Sequence, residues 1–409
     1  MLTLALLSAV LAPTPTAGPA HTHSTDIMPA GERRSFHVVS DAEIIADGMT
    51  FHSWQDLHDS GYYHQLDTRC GLDPIHIEDP VLTRGNGADC SFTNTNPAPA
   101  YDPAVSKLRI PVVVHVIQNT SGTGFISESR VRSQIDILNE DFLAMPGTNG
   151  GLGFDAQIEF YLATEDPQGN ATNGITYSTN NSWFNDSGNY VSSLAWDTNR
   201  YLNIYTNTAG GALGYVPNLP QGGIVGSNAD RVVILYSTFG RNAPFSPYNL
   251  GRTATHEVGH YLGLDHTFAG GCASASNCSS NGDWICDTNP ESSPTWGCPG
   301  GRNTCGGPAP FDNYMDYSDD RCMDRFTHDQ GFRMRCTLFN YRSQLYSEDL
   351  GEPCPVDLAL PFGSLDFFDI AAFVAFYNAG DPITDLDMNG SFNFFDVAAF
   401  ITAFNAGCP

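Results

Sequence analysis

The run His256-Glu-Val-Gly-His260-Tyr-Leu-Gly-Leu-Asp-His266 constrains this chain more than any other stretch. Histidines at i and i+4 lie on one face of a helix, so both imidazoles reach a single ion. Glu257 sits one position on, close enough to hold a water on that ion without ligating it. Gly263 lets the chain leave the helix at positive φ and swing His266 in as a third ligand. Three neutral imidazoles leave a fourth position open, as in a catalytic rather than a structural zinc site. Asp265 is the only nearby candidate for a closing fourth ligand, and a weak one. An ion held there lowers the pKa of a bound water toward about 7, within reach of Glu257 as general base.

Composition bounds the rest. A length of 409 residues exceeds one small core and suggests two or three units. The net charge of −27, with Lys107 the only lysine, excludes nucleic acid as a partner, because a polyanion is repelled. The acidity fits carboxylate-rich calcium sites or a saline habitat equally well. Met1 to Ala12 is an apolar run too short to span a bilayer, which takes about 20 residues. With the Pro/Thr/Ala/Gly stretch to Ala20 it reads as a signal peptide over residues 1–20, although the usual positive start is missing. No later segment is long and apolar enough for a membrane helix, so export as a secreted or cell-surface-associated protein is expected. Eleven cysteines agree with an oxidising compartment. Their number is odd, so one thiol is free, bound to metal or paired with another molecule.

Residues 21–90 read as a propeptide or small N-terminal region with one helix from Asp41 to about His58. A linker-like run follows, Thr93 to Pro103. Residues 91–350 then mix β-branched strands, at Leu108–Ile117, Gln157–Ala163, Tyr201–Thr206 and Arg231–Tyr236, with helices at Ser127–Leu143 and Asn249–Leu264. From Thr267 to about Tyr314 the chain is Gly, Pro, Ser, Asn and Cys with no period. The expected fold class is α+β: a small twisted sheet, two long helices and a loop-rich lower half.

The last residues, 354–409, form a separate small all-α unit. Phe367-Phe-Asp-Ile-Ala-Ala-Phe recurs as Phe394-Phe-Asp-Val-Ala-Ala-Phe, and two such amphipathic helices bury their aromatic faces together. Cys354 and Cys408 bracket the unit and are expected to staple it, since so small a core needs help. Asp385, Asp387, Asn389, Asn393 and Asp396 place oxygens at loop positions 1, 3, 5, 9 and 12, with Gly390 at position 6. The spacing resembles the calcium loop of dockerin-type and EF-hand repeats. The first copy keeps Gly363, Asp366 and Asp369 but lacks the early carboxylates, so one Ca2+ is expected rather than two. A cohesin-like or cell-surface partner is what that resemblance implies.

With His256 to His266, the segments Tyr248-Asn-Leu-Gly-Arg-Thr-Ala-Thr255 and Asn313-Tyr-Met-Asp-Tyr317 resemble the metzincin clan and, within it, the pappalysin family of zinc proteases, over about residues 109–346. The resemblance implies a zinc metalloendopeptidase acting on protein and peptide substrates. It implies that Met315 lies beneath the zinc as an apolar floor and that Tyr317 stabilises the tetrahedral intermediate. It further implies that Asp320 floors the S1′ pocket and selects Arg or Lys after the scissile bond, with Arg321 able to neutralise it in part. Asp283, the Cys286 carbonyl and Thr288 match the family's calcium loop. Relatives pair Cys272 with Cys305 and Cys298 with Cys322, which leaves Cys278 and Cys286 as a plausible local pair.

Arg69-Cys-Gly-Leu-Asp73 resembles the cysteine switch of matrixins, in which a propeptide thiolate takes the fourth zinc position. Setting Cys70 aside leaves an even number of cysteines, with Cys90 and Cys336 as a further pair. The alternative is a disulfide from Cys70 to Cys90. The expectation is an exported zymogen, activated by propeptide removal. The rival, a scaffold whose zinc domain only positions the C-terminal unit, leaves the intact set of reactive residues without a use.

Overall fold

The computed structural model describes residues 36–63, 69–72, 101–272, 278, 282–349, 356–359, 365–386 and 389–407. The expected signal peptide, Cys90, Cys354, Asp387 and Cys408 lie outside the described residues.

The region from 41 to 58 is not one helix. Three short strands, β1 (Phe36–Ser40), β2 (Glu43–Ala46) and β3 (Met49–Phe51), form an antiparallel sheet, and α1 covers only Trp54–Asp59. The reason is local. Val38, Val39, Ile44 and Ile45 are β-branched, and the turn between β2 and β3 takes positive φ at Asp47 and Gly48. Ser53 caps α1 by accepting from Asp56 N. Phe36, Val38, Ile44, Trp54 and Leu57 bury themselves in the same core as the residues that follow, not in one of their own.

That core is built on β4 (Lys107–Gln118), which runs through the middle of a seven-stranded sheet. β4 pairs in parallel with β5 (Ile158–Leu162), β6 (Ile175–Thr179) and β7 (Leu202–Asn207). Between β6 and β7 lie two short helices, α3 (Asn181–Phe184) and α4 (Tyr190–Leu194). β8 (Gly214–Tyr215) is the antiparallel edge, paired with β9 (Val232–Leu235), which in turn lies parallel to β7. β4, β7 and β9 are buried along most of their length, as in a sheet covered on its faces, whereas β5 and β6 are only partly buried.

α2 (Glu128–Phe142) starts at Ser127, whose hydroxyl accepts from Arg130 N, and turns Val131, Ile135, Leu138 and Phe142 inward. α5 (Arg252–Tyr261) begins three residues later than the sequence suggested. Its start is set by Gly251 at φ 81°, and a Cβ there would sit 2.7 Å from Ile137 Cδ1. Close packing of α5 on α2 therefore requires glycine at that point. Between α5 and residue 327 the described residues are irregular, apart from the two-residue strands β10 (Asn303–Thr304) and β11 (Gly307–Pro308). The disulfides Cys272–Cys305, Cys278–Cys286 and Cys298–Cys322 tie it down.

A third long helix, α6 (His328–Tyr341), was not foreseen. It opens with a capping box of Thr327 and Gln330, and it buries Phe332, Met334 and Leu338 together with Arg333 and Arg335. The buried arginines, held by backbone carbonyls such as those of Trp284, Tyr101 and Ala156, hide the helical period of the apolar residues. β12 (Ser347–Asp349) closes the domain against the start of β4.

At the C-terminus, α7 (Phe367–Ala379) and α8 (Phe394–Ala406) each begin with a capping box. They pack through Phe373 and Phe400, stacked at 4.0 Å, in a small core of their own. No helix among the described residues is long and apolar enough to cross a membrane.

Candidate metal centre

α5 presents His256, Glu257 and His260 on the buried side, and Gly263 at φ 94° turns the chain so that His266 returns to them. A Cβ at Gly263 would meet Thr337 Oγ1 at 2.5 Å. His260 Nε2 lies 3.0 Å from His256 Nε2 and 3.1 Å from His266 Nε2. Two of the rings are oriented from behind. His256 Nδ1 donates to the Tyr314 carbonyl at 2.7 Å and His260 Nδ1 to the Leu264 carbonyl at 2.8 Å.

With protons on Nδ1, those Nε2 atoms face each other as lone pairs in a buried space, an arrangement that only a cation makes favourable. Burial, and the neighbouring imidazoles in the case of His256 and His266, hold all three rings below their usual pKa; the value for His260 is about 4. They are thus neutral, as metal ligands must be. The donor set fits a zinc ion.

The fourth ligand-capable group is Cys70. Its thiol and the three imidazoles have ligand atoms all within 4.8 Å of one another, and Cys70 is free of any disulfide. That excludes the Cys70–Cys90 pairing. Cys336 is disulfide-bonded to a cysteine outside the described residues. Cys70 is held by a parallel bridge to Gly214 on the edge strand, and Gly71 N donates to Gly214 O at 2.8 Å. Without an ion, burial and the charge of Glu257 push the Cys70 thiol well up. A divalent cation reverses that preference.

Glu257 is fully buried, and burial raises its carboxyl to about 8. Its Oε2 lies 3.6 Å from Cys70 Sγ, while Oε1 has no hydrogen-bond partner. Met315 packs its sulfur against Gly259 so closely that a Cβ there would sit 2.5 Å away. Tyr317 brings its hydroxyl 3.3 Å from His266 Nε2. Asp265 turns away and accepts from His266 N at 2.7 Å, while its Oδ1 is 3.9 Å from His266 Nδ1.

Asp320 is buried below the site, where Oδ2 accepts from Leu250 N at 2.8 Å and Arg252 N at 3.2 Å. Facing Oδ1 at 3.8 Å is the guanidinium of Arg69, which also lies 4.6 Å above the Tyr248 ring. Arg321, by contrast, does not neutralise Asp320; its ion pair is with Asp319 at 3.7 Å. The Arg321 side chain is exposed, and the cation facing Asp320 comes instead from Arg69, 251 positions upstream.

Sequence reasoning missed two supports. Asp141 on α2 is buried and accepts from Thr255 Oγ1 at 2.6 Å and Tyr314 Oη at 2.8 Å, with Arg252 Nη2 at 3.0 Å. Burial raises its carboxyl to about 6 against the pull of Arg252 and those two hydrogen bonds. Arg69 was the other, seen only as a neighbour of Cys70.

The residues suggested for calcium fall in two places. Asp283 accepts twice from Thr288 Oγ1, at 3.0 and 2.7 Å, and burial raises its carboxyl to about 7. In the C-terminal unit, Asp385 accepts from Asn389 N and Gly390 N, and Asp396 accepts from Asn393 N.

Residues 185–339 match the peptidase family model described as pregnancy-associated plasma protein-A. Extracellular metalloprotease 1 of Coccidioides posadasii is 37% identical over 59% of this chain and 82% of its own length. An extracellular metalloprotease of Verticillium alfalfae is 33% identical over 67% and 91%. Among solved structures, mirolysin in complex with compound 9 is 40% identical with a TM-score of 0.52, over 60% of this chain and 98% of that one. A mutant of promirolysin from Tannerella forsythia is 40% identical with a TM-score of 0.50, over 59% and 85%.

Proposed function

Because this chain belongs to the pappalysin family of zinc metallopeptidases, we propose that it is a secreted endopeptidase that cuts before arginine or lysine and is held latent by its own Arg69-Cys70 segment. The observation that carries this reading is the convergence of the Cys70 thiol on three neutral imidazoles beside a buried glutamate.

When bound, zinc polarises the scissile carbonyl and acidifies the attacking water. Glu257 takes the proton from that water and delivers it to the leaving amine. Its Oε1, buried and without a hydrogen-bond partner, is free to accept that proton. Tyr317 donates its hydroxyl hydrogen to the developing oxyanion, and Met315 fixes the floor on which the histidines rest. Asp320 receives the basic side chain that follows the scissile bond, as it receives Arg69 in the uncleaved chain. Cys70 blocks the site until residues upstream of the catalytic domain are removed, by cleavage before Arg84 in Leu82-Thr-Arg84.

Calcium at Asp283, the Cys286 carbonyl and Thr288 stabilises the loop below the site. The C-terminal unit is a dockerin-like repeat that holds one calcium through Asp385, Asp387, Asn389, Asn393 and Asp396. Its partner is cohesin-like or lies on a cell surface, and a Cys354–Cys408 disulfide closes the unit.

The test is casein cleavage by processed enzyme. Activity should be abolished by a chelator, restored by zinc and absent in Glu257→Ala. A folded, zinc-loaded, processed wild type with no turnover would support the scaffold reading instead.

A further inference from the structure

Tyr63 is fully buried six positions before Arg69, in a socket made by the catalytic domain. Its ring lies 5.4 Å from Phe245 at 83°, 5.5 Å from Tyr248 at 47° and 6.5 Å from Trp296 at 85°. Edge-on and tilted arrangements at these distances are the favourable ones for aromatic rings. Phe245 is covered on another side by Trp54, stacked at 4.8 Å. Both covering residues belong to the segment that the proposed activation removes.

The socket is not remote from the chemistry. Tyr248 forms a wall of it and also lies under the Arg69 guanidinium at 4.6 Å, while Trp296 continues to Tyr317 at 5.3 Å. Cys70 is at the metal group, Arg69 is next to it in the Asp320 pocket, and the Tyr63 socket shares the Tyr248 ring with that pocket. An extended chain advances about 3.3 Å per residue. A substrate with its cation at Asp320 therefore brings the next one or two side chains past the same rings.

We propose that Phe245, Tyr248 and Trp296 form an aromatic subsite of the processed enzyme, filled in the latent chain by Tyr63 and in turnover by an aromatic substrate side chain one or two residues after the basic one. The inference rests on the activation reading given above. It makes Phe245 and Trp296 specificity-determining residues for the same reaction and gives the enzyme a two-residue recognition motif, basic then aromatic.

The experiment is cleavage of a peptide library by enzyme processed from the full-length chain, with the mature N-terminus read by mass spectrometry. The expected result is a basic residue directly after the cut and enrichment of Phe, Tyr or Trp within the next two positions. In matched peptides, kcat/KM should favour aromatic over glycine by on the order of tenfold. That ratio should fall at least several-fold in Phe245→Ala, and in Phe245→Leu should the alanine variant not fold. A basic preference with no aromatic enrichment in wild type overturns the subsite and leaves the activation reading standing. An active enzyme that retains residues 36–72 overturns both, because the socket then stays filled.

Discussion

Tyr314 joins two layers of the site: its hydroxyl donates to Asp141 on α2 at 2.8 Å, while its carbonyl accepts from His256 on α5. Asp141 also bonds Thr255, the residue before His256, and pairs with Arg252. One buried carboxylate thus orients a ligand from behind by two routes. Asp141→Asn should weaken zinc binding by about 10–100-fold, the range found when partners behind metal ligands are lost. Competition with a chromogenic chelator reads this directly. Thermal unfolding should show a loss of about 3–5 kcal/mol, because Arg252 is left buried without its counter-charge. Tyr314→Phe, which keeps the carbonyl, should cost only about 1 kcal/mol and little metal affinity.

Cys70→Ser removes the soft ligand and leaves the rest of the segment in place. The full-length variant should hydrolyse a fluorogenic peptide before any processing, at a rate at least tenfold above the uncleaved wild type, by order of magnitude for losing a thiolate ligand. Equal rates in the two uncleaved chains would argue against Cys70 as the latch.

On the proposed reading, Asp320 holds Arg69 in the uncleaved chain and the basic substrate side chain after processing. Asp320→Asn keeps the shape of the side chain and the bonds from Leu250 and Arg252 within reach, but removes the charge facing Arg69. Selectivity for Arg over a neutral residue after the cut should fall by roughly 10–100-fold, in line with a lost charge-assisted contact of about 1.5–3 kcal/mol. The same variant should process itself more slowly before Arg84, because Arg84 is itself a basic residue after the cut and loses its counter-charge. Parallel measurement of cleavage profile and of zymogen half-life checks both effects.

The Asp283 carboxyl predicts a pH signature. Burial raises it from 3.8 to about 7, so in the metal-free fold it stays protonated where the unfolded chain has already ionised. Between those values the native state holds more protons than the unfolded state, and stability falls as pH rises through the window. Calcium needs the ionised form. Its apparent affinity should therefore rise by up to about tenfold per pH unit from pH 5 to 7 and level off above that. Removal of calcium should then lower the unfolding temperature more at pH 8 than at pH 5. Calorimetry at the two pH values distinguishes this from a disulfide-held turn with no ion.

Much of the centre was legible in the sequence because it is local. His256, Glu257, His260, Gly263 and His266 lie within one helix turn and its exit, where spacing alone fixes geometry. The strand at Leu108–Ile117 and the helix at Ser127–Leu143 were equally plain, each written in an unbroken apolar pattern. Asp141, Arg69 and Tyr63 were not legible, since their meaning comes from partners 111 or more residues away, as Arg252 is from Asp141. α6 was hidden for a related reason: its arginines face inward and satisfy distant carbonyls, which erases the polar stripe a helix normally shows. The Asp41–His58 helix failed because a two-residue turn at Asp47-Gly48 outweighed a composition acceptable to a helix.

Gly214 on the edge strand has no room for a side chain: a Cβ would come within 2.7 Å of Glu257 Cγ. The gap between the strand and the catalytic helix is thus a backbone dimension, set by main-chain packing and closed to tuning at that position. Natural variation or engineering that seeks to widen this gap must act at positions other than 214, because no side chain fits there without moving the helix.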